Sequence, residues 1–301
     1  MTILKVHHVT TYAYKRPVGF GEHRILFRPR DSHDQRLLEA RMVISPEPSD
    51  LFWVHDTFGN SVAVANFDVE ADSLRFETDI VLDHIPQSRL HFRTDEEASH
   101  WPFAYDEECL PDLESSIRRQ YPDDGGATAA WAKRFINSKG RTETGPMLEA
   151  MTVAIHDDFK YARRMNPGTQ TPVMTLESLS GTCRDFALLM IEGARSLGLA
   201  ARFVTGYIYV PSRDNDETLG GGATHAWAQI YLPGAGWVEF DPTNGIIGNR
   251  DLIRVGVARD PRQAIPLWGT HTGGRNDSLG MTVQVNVTSA GAEAERPIVS
   301  A

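Results

Sequence analysis

Cys183 stands where the loop Leu179-Ser180-Gly181 turns into the strongest helical pattern of the chain. Thr182, with Asp185 three residues on, fits a capping box in its Ser/Thr-x-x-Asp/Glu form, which puts Cys183 in the first helical turn. Backbone N–H groups without helical partners gather there, at the positive end of the helix dipole. Both favour a thiolate, and the same N–H groups can donate to an oxyanion formed at a carbonyl under attack. The other cysteine, Cys109 between Glu108 and Leu110, reads as a small buried hydrophobe.

A thiol nucleophile needs a base and a group that orients it. Among 11 histidines, His225 is set apart by its surroundings. It opens the run His225-Ala226-Trp227-Ala228-Gln229-Ile230-Tyr231-Leu232, in which strand alternation puts His225, Trp227, Gln229 and Tyr231 on one face. In the partner run, Trp237, Glu239 and Asp241 share a face, and Pro242 ends the strand. Register decides whether these faces coincide. If Leu232 pairs with Trp237, Asp241 falls on the face opposite His225. If Tyr231 pairs with Trp237 across the connection Leu232 to Gly236, Asp241 lies across from Trp227, one diagonal step from His225. A one-residue slip abolishes the dyad, so the second register is predicted. Cys183 would then attack a carbonyl, His225 would carry the proton, and Asp241 would hold the imidazole tautomer. Trp227 is a candidate wall of the site. Asp185 is a helix cap in preference to a substrate contact.

These residues need a scaffold. Ile3–Thr10, Phe27–Arg30, Ala40–Ile44, Ser61–Val69, Leu74–Leu82 and Leu90–Arg93 have strand composition, and their spacing suggests a β-sandwich-like module over residues 1–100. Arg28, Arg30 and Arg41 read as a solvated face. Three- and four-residue apolar spacing predicts helices over 112–121, 128–137 and 146–158, then over 181–197, where Phe186, Leu189, Met190, Gly193, Ala194 and Leu197 form one stripe. Arg202–Val210, His225–Leu232 and Gly236–Asp241 read as strands. Met281–Val287, with clean alternation, reads as the last strand of a catalytic core over 101–288. The polar, Gly-rich stretch from Pro211 to Gly222 reads as a lid beside His225, and 289–301 as a disordered tail.

The chain has 301 residues, 41% hydrophobic and 23% charged, which are ordinary globular values and exclude collagen-like, coiled-coil and wholly disordered readings. A net charge of −10 argues against nucleic acid as a partner, and two cysteines exclude a disulfide scaffold. No apolar run is long enough to span a membrane, and Met1–Tyr14 lacks the apolar core of a signal peptide, so a cytoplasmic location is expected. The sequence has no His-x-x-x-His or Cys-x-x-Cys cluster, which disfavours a metallohydrolase.

Gly181-Thr182-Cys183-Arg184-Asp185-Phe186-Ala187, Thr224-His225-Ala226-Trp227 and Gly236-Trp237-Val238-Glu239-Phe240-Asp241-Pro242-Thr243-Asn244 resemble, in order and spacing, the three motifs of bacterial transglutaminase-like proteins. His8–Tyr14, Phe27–Arg30 and Asp56–Asn60 resemble the β-rich domain that precedes the core in that family. The resemblance implies an α+β fold: a papain-like core with a Cys183-His225-Asp241 triad, no metal and no cofactor, after an all-β sandwich-like domain. It also places Tyr161 near the site, as a candidate donor to the oxyanion. Leu188 departs from the family pattern, where histidine is frequent. Relatives include cysteine proteases, protein cross-linkers and peptide N-glycanases, all of which attack an amide. Thiol-dependent cleavage of an amide in a peptide or protein is the expected activity. Acyl transfer to an amine and a catalytically silent binding module are the alternatives.

Overall fold

The computed structural model describes residues 2–85, 93–123, 125–162, 168–210 and 224–289. The Pro211 to Gly222 stretch, most of Leu90–Arg93 and the tail from 290 onward lie outside the described residues.

β1 (Thr2–Ile25) is a 24-residue strand rich in Thr, Tyr and Val. Leu4, Val6, His8 and Thr10 point inward, in the two-residue period of a half-buried strand. Its register shifts after Ala13, just before Pro17, which has no N–H for a ladder. The shift lets one strand serve two sheet halves. Its first half pairs with β5 (Glu70–His84), which pairs with β2 (Gln35–Ser45); its last residues pair with β4 (Ser61–Asn66), which pairs with β3 (Asp50–His55). Tyr14, Phe20, Ile25, Phe67, Leu74 and Phe76 fill the space between the halves.

Two small ladders frame the helices: β6 (His100–Trp101) with β7 (Thr142–Glu143), and β8 (Lys160–Tyr161) in parallel with β9 (Ser180–Gly181). The helices are α1 (Leu110–Ile117), α2 (Ala127–Lys133), α3 (Thr144–Asp158), α4 (Pro172–Ser178) and α5 (Cys183–Ser196). α4 escapes periodicity because it has only seven residues, although Thr171 caps it by accepting the Met174 N–H at 3.3 Å. α5 is buried almost all round, as a central helix is. Gly193 permits this: a Cβ there would stand 2.7 Å from Trp131 of α2 and 3.2 Å from Met151 of α3.

α5 packs on a five-stranded antiparallel sheet ordered β13 (Ile246–Ile247), β12 (Gly236–Asp241), β11 (His225–Leu232), β10 (Ala201–Ile208), β14 (Leu252–Ala258). Ala226, Ala228, Ile230, Val238 and Phe240 share a core with Phe186, Leu189 and Met190 of α5. The opposite row carries Trp227 and Val204, which pack with Leu252, Val257 and Phe58 of the N-terminal module. The five-stranded sheet is therefore sandwiched between its own helix and the β-rich module. Among the described residues, no helix is long and apolar enough to cross a membrane.

Three expectations need correction. The alternating segment near 281–287 lies in β16 (Ser278–Ser289), but it pairs along β1, as does β15 (Leu267–His271), so the last strands complete the N-terminal sheet. Alternation identifies a strand and leaves its partner open. Arg30 is not on a solvated face: it donates to the Phe58 carbonyl at 3.1 Å and to Asn60 Oδ1 at 2.9 Å. Cys109 is exposed, at the residue that precedes α1.

Candidate active site

Cys183 is the first residue of α5, as the cap signal requires. The Asp185 carboxylate accepts the Thr182 backbone N–H at 2.7 Å, the Thr182 hydroxyl at 2.9 Å and the Gln170 N–H at 2.6 Å. Asp185 has no exposed surface and caps the helix. Gly181 admits this carboxylate, because a Cβ there would stand 2.8 Å from the Asp185 Cβ. Arg184, beside the thiol, turns away to donate to the Pro261 carbonyl at 2.6 Å and covers the Phe203 ring at 4.8 Å.

The hairpin β11–β12 adopts the predicted register, Tyr231 opposite Trp237. Leu232 also pairs with Gly236, so the connection is the three residues Pro233–Ala235 and not the five expected. Gly234 (φ 81°) and Gly236 (φ 73°) supply the left-handed backbone that the tight turn needs. Continued past the Ala228–Phe240 pair, this register sets Asp241 across from Trp227. The diagonal contact follows: His225 Nε2 lies 2.8 Å from Asp241 Oδ2. Asp241 is fully buried and His225 nearly so. The Asp241 carboxylate also accepts the Thr243 N–H at 3.0 Å and the Asn244 amide at 2.7 Å.

Asp241 occupies one ring nitrogen of His225, and Cys183 stands near enough to the same imidazole to act on its charge. Burial alone would push the imidazole down. The Asp241 charge and hydrogen bond, joined by the Cys183 contact, outweigh it and raise the ring to about 10. The Asp241 carboxylate thus favours the charged form of the ring. Such an arrangement can hold a thiolate, deliver a proton and take one back.

The sequence-derived candidates separate here. Cys183, His225 and Asp241 converge. Trp227 is fully buried, with its ring centroid 5.8 Å from that of His225 and the planes 28° apart, so it backs the imidazole from inside. Tyr161 is exposed, pairs opposite Gly181 in the β8–β9 ladder, and lies 6.5 Å from the Phe186 ring. Leu188 is buried within α5. Elsewhere His7, Glu77 and Asp79 bring potential metal-ligand atoms within 4.8 Å of one another on the exposed face of the N-terminal sheet, where Arg75 already pairs with Glu77.

Residues 4–83 match the bacterial transglutaminase-like N-terminal region, and residues 129–242, which hold all three converging side chains, match the transglutaminase-like superfamily. The chain belongs to that superfamily. Rv2569c of Mycobacterium tuberculosis, an uncharacterized protein, is 28% identical over 293 residues, which span 93% of this chain and 91% of the relative. ML0607 of Mycobacterium leprae, also uncharacterized, is 37% identical over 112 residues, 36% of this chain and 39% of the relative. The fold is shared with a candidate cysteine protease from Cytophaga hutchinsonii at a TM-score of 0.69 and 20% identity, covering 96% of this chain and 91% of that one.

The transglutaminase-like core contains two residues whose roles the motifs do not reveal. Asn244 braces Asp241 from only three residues away. Glu239 shares a strand face with Asp241, and alternation is the signal that could single it out. Its carboxylate accepts from Trp227 Nε1, from the Gln229 amide at 2.7 Å and from Arg254 Nη1 at 2.7 Å.

Proposed function

We propose that this chain hydrolyses an amide bond in a peptide or protein substrate through a Cys183 thiolate, a His225 imidazolium and Asp241. The observation that carries the reading is the buried His225–Asp241 pair at 2.8 Å, with Cys183 near the same ring at the N-terminus of α5. Cys183 sulfur attacks the carbonyl carbon, and first-turn N–H groups of α5 receive the oxyanion. His225 passes its proton to the amide nitrogen, the C–N bond breaks, and an amine leaves behind a thioester. Water, giving one proton to His225, attacks the thioester; the thiolate is expelled and a carboxylic acid leaves, losing its remaining proton to solvent. Asp241 orients the ring throughout. No metal or cofactor enters the scheme. The two unpaired cysteines suit a reducing compartment, so the reaction is assigned to the cytoplasm.

The test is the alkylation rate of Cys183 by iodoacetamide against pH, read by mass spectrometry with exposed Cys109 as the internal control. Rapid modification of Cys183 at about pH 6, well below the range of a free thiol near 8.5, and its loss in His225→Ala, is the expected result. Equal, slow modification of both thiols would discard the nucleophile and favour a silent binding module. With an active thiol established, a labelled primary amine offered with peptide substrates separates hydrolysis from acyl transfer: incorporation of the amine assigns a cross-linking activity instead.

A further inference from the structure

The Glu239 carboxylate is buried on the face of the catalytic sheet that meets the N-terminal module. Besides Trp227 and Gln229, it holds Arg254, whose other terminal nitrogen, Nη2, donates to Asp34 and, at 2.9 Å, to the Ser32 hydroxyl. The Arg254 backbone N–H donates to Gln35 Oε1 at 2.8 Å, and the Gln35 amide returns to the Arg254 carbonyl at 2.8 Å. Asn249 closes the cluster by donating to Asp34 Oδ2 at 2.6 Å. The segment 32–35 of the β-rich module thus clamps one arginine of the catalytic sheet from three sides. An unbroken chain of hydrogen bonds runs from Asp34 through Arg254 and Glu239 to the indole of Trp227, and that indole backs His225.

We infer that the N-terminal module is a working part of the candidate site: Asp34, Arg254 and Glu239 are positioning residues that fix Trp227 against the His225 ring. The inference rests on the proposed role of His225. An indole face within about 6 Å of a cation stabilises it through the ring quadrupole, and Trp does so better than Phe or Tyr. The benefit requires a fixed indole. Glu239 fixes its N–H edge, and Gly206 leaves room for its far edge, since a Cβ there would stand 2.8 Å from Trp227 Cη2. A carboxylate buried with two neutral donors would be under-compensated; Arg254 supplies the missing charge, and Asp34 balances Arg254 in turn. Other charged groups near this face are Arg202, which donates to Gln229 Oε1 at 2.7 Å, and Arg30. Neither hydrogen-bonds to Glu239 among the described residues.

The test compares the wild-type chain with Asp34→Asn and Trp227→Phe. Two quantities are read in each: the titration midpoint of the His225 ring, by NMR of histidine-labelled protein assigned with His225→Gln, and the Cys183 alkylation rate at pH 7. Thermal midpoints establish that each variant is folded. Both variants are expected to lower the His225 midpoint by about one pH unit or more, tenfold in imidazolium stability, and to slow Cys183 together with it. A shift in Asp34→Asn without one in Trp227→Phe means that Asp34 acts only through its charge, and overturns the positioning chain. Unchanged midpoints in both folded variants overturn it as well, leaving the cluster as a simple domain tether. If Asp34→Asn does not fold, Arg254→Lys replaces it, retaining the charge and losing the fork that reaches both carboxylates. Slow alkylation of wild-type Cys183 would defeat the proposed reaction, yet the His225 midpoints would still decide this inference.

Discussion

Asp241→Asn isolates what the buried carboxylate contributes. His225 is raised from an ordinary 6.5 to about 10 although burial opposes it, so Asp241 and Cys183 together favour the imidazolium by at least about 5 kcal/mol, at 1.36 kcal/mol per unit. Asparagine removes that charge and leaves the burial, so the ring midpoint falls. The hydrogen bonds add a second effect. The two Asp241 oxygens accept the Thr243 N–H and the Asn244 amide, so an asparagine leaves one of these donors without its acceptor and weakens the hold on the ring. A cation beside the thiol favours its reactive anion, and that cation is weakened in the variant. Alkylation of Cys183 at pH 6 should therefore slow by about 100-fold in the variant, with Cys109 unaffected. Retention of fast alkylation at pH 6, with the imidazolium limb still near 10, would refute this assignment of the charge pair.

Three further outcomes follow from the same geometry. Because the folded midpoint of His225 exceeds its unfolded one, its contribution to stability is complete below pH 6.5 and is lost as pH rises through about 10; urea midpoints should fall across that window, and an equal slope in Asp241→Asn would contradict the linkage. His8, buried beside Tyr207, is lowered to about 4 by burial and by the charge of His7, so the folded chain should lose stability as pH drops from 6.5 toward 4, measurable as an acid-side decline in thermal midpoint. Gly206→Ala places a Cβ 2.0 Å from the Ile253 carbonyl oxygen as well as against Trp227; destabilisation of about 1–3 kcal/mol or more is expected in urea titration, and a neutral result would mean that the sheet yields there without cost.

Short-range physics makes much of this site legible in the amino-acid sequence. A capping pattern marks the start of α5 and with it the placement of Cys183, because caps satisfy orphan N–H groups within four residues of chain. Alternation assigns His225 and Asp241 to strand faces, and hairpin geometry selects the register that joins them, because both depend on neighbouring backbone. The β-rich character of the first module is legible for the same reason. Partnership across long separations is not. Alternation in β16 says nothing of β1 as its neighbour, nearly 280 residues earlier. Asp34 carries no sign that it will be buried, since a charged residue in a loop is ordinarily solvated. Only tertiary packing brings Asp34 to Arg254, 220 residues away, and converts two isolated charges into a compensated pair beneath the site. The reason is physical: a helix cap or strand face is set by neighbours in sequence, whereas burying a charge requires an opposite charge to arrive from elsewhere in the fold.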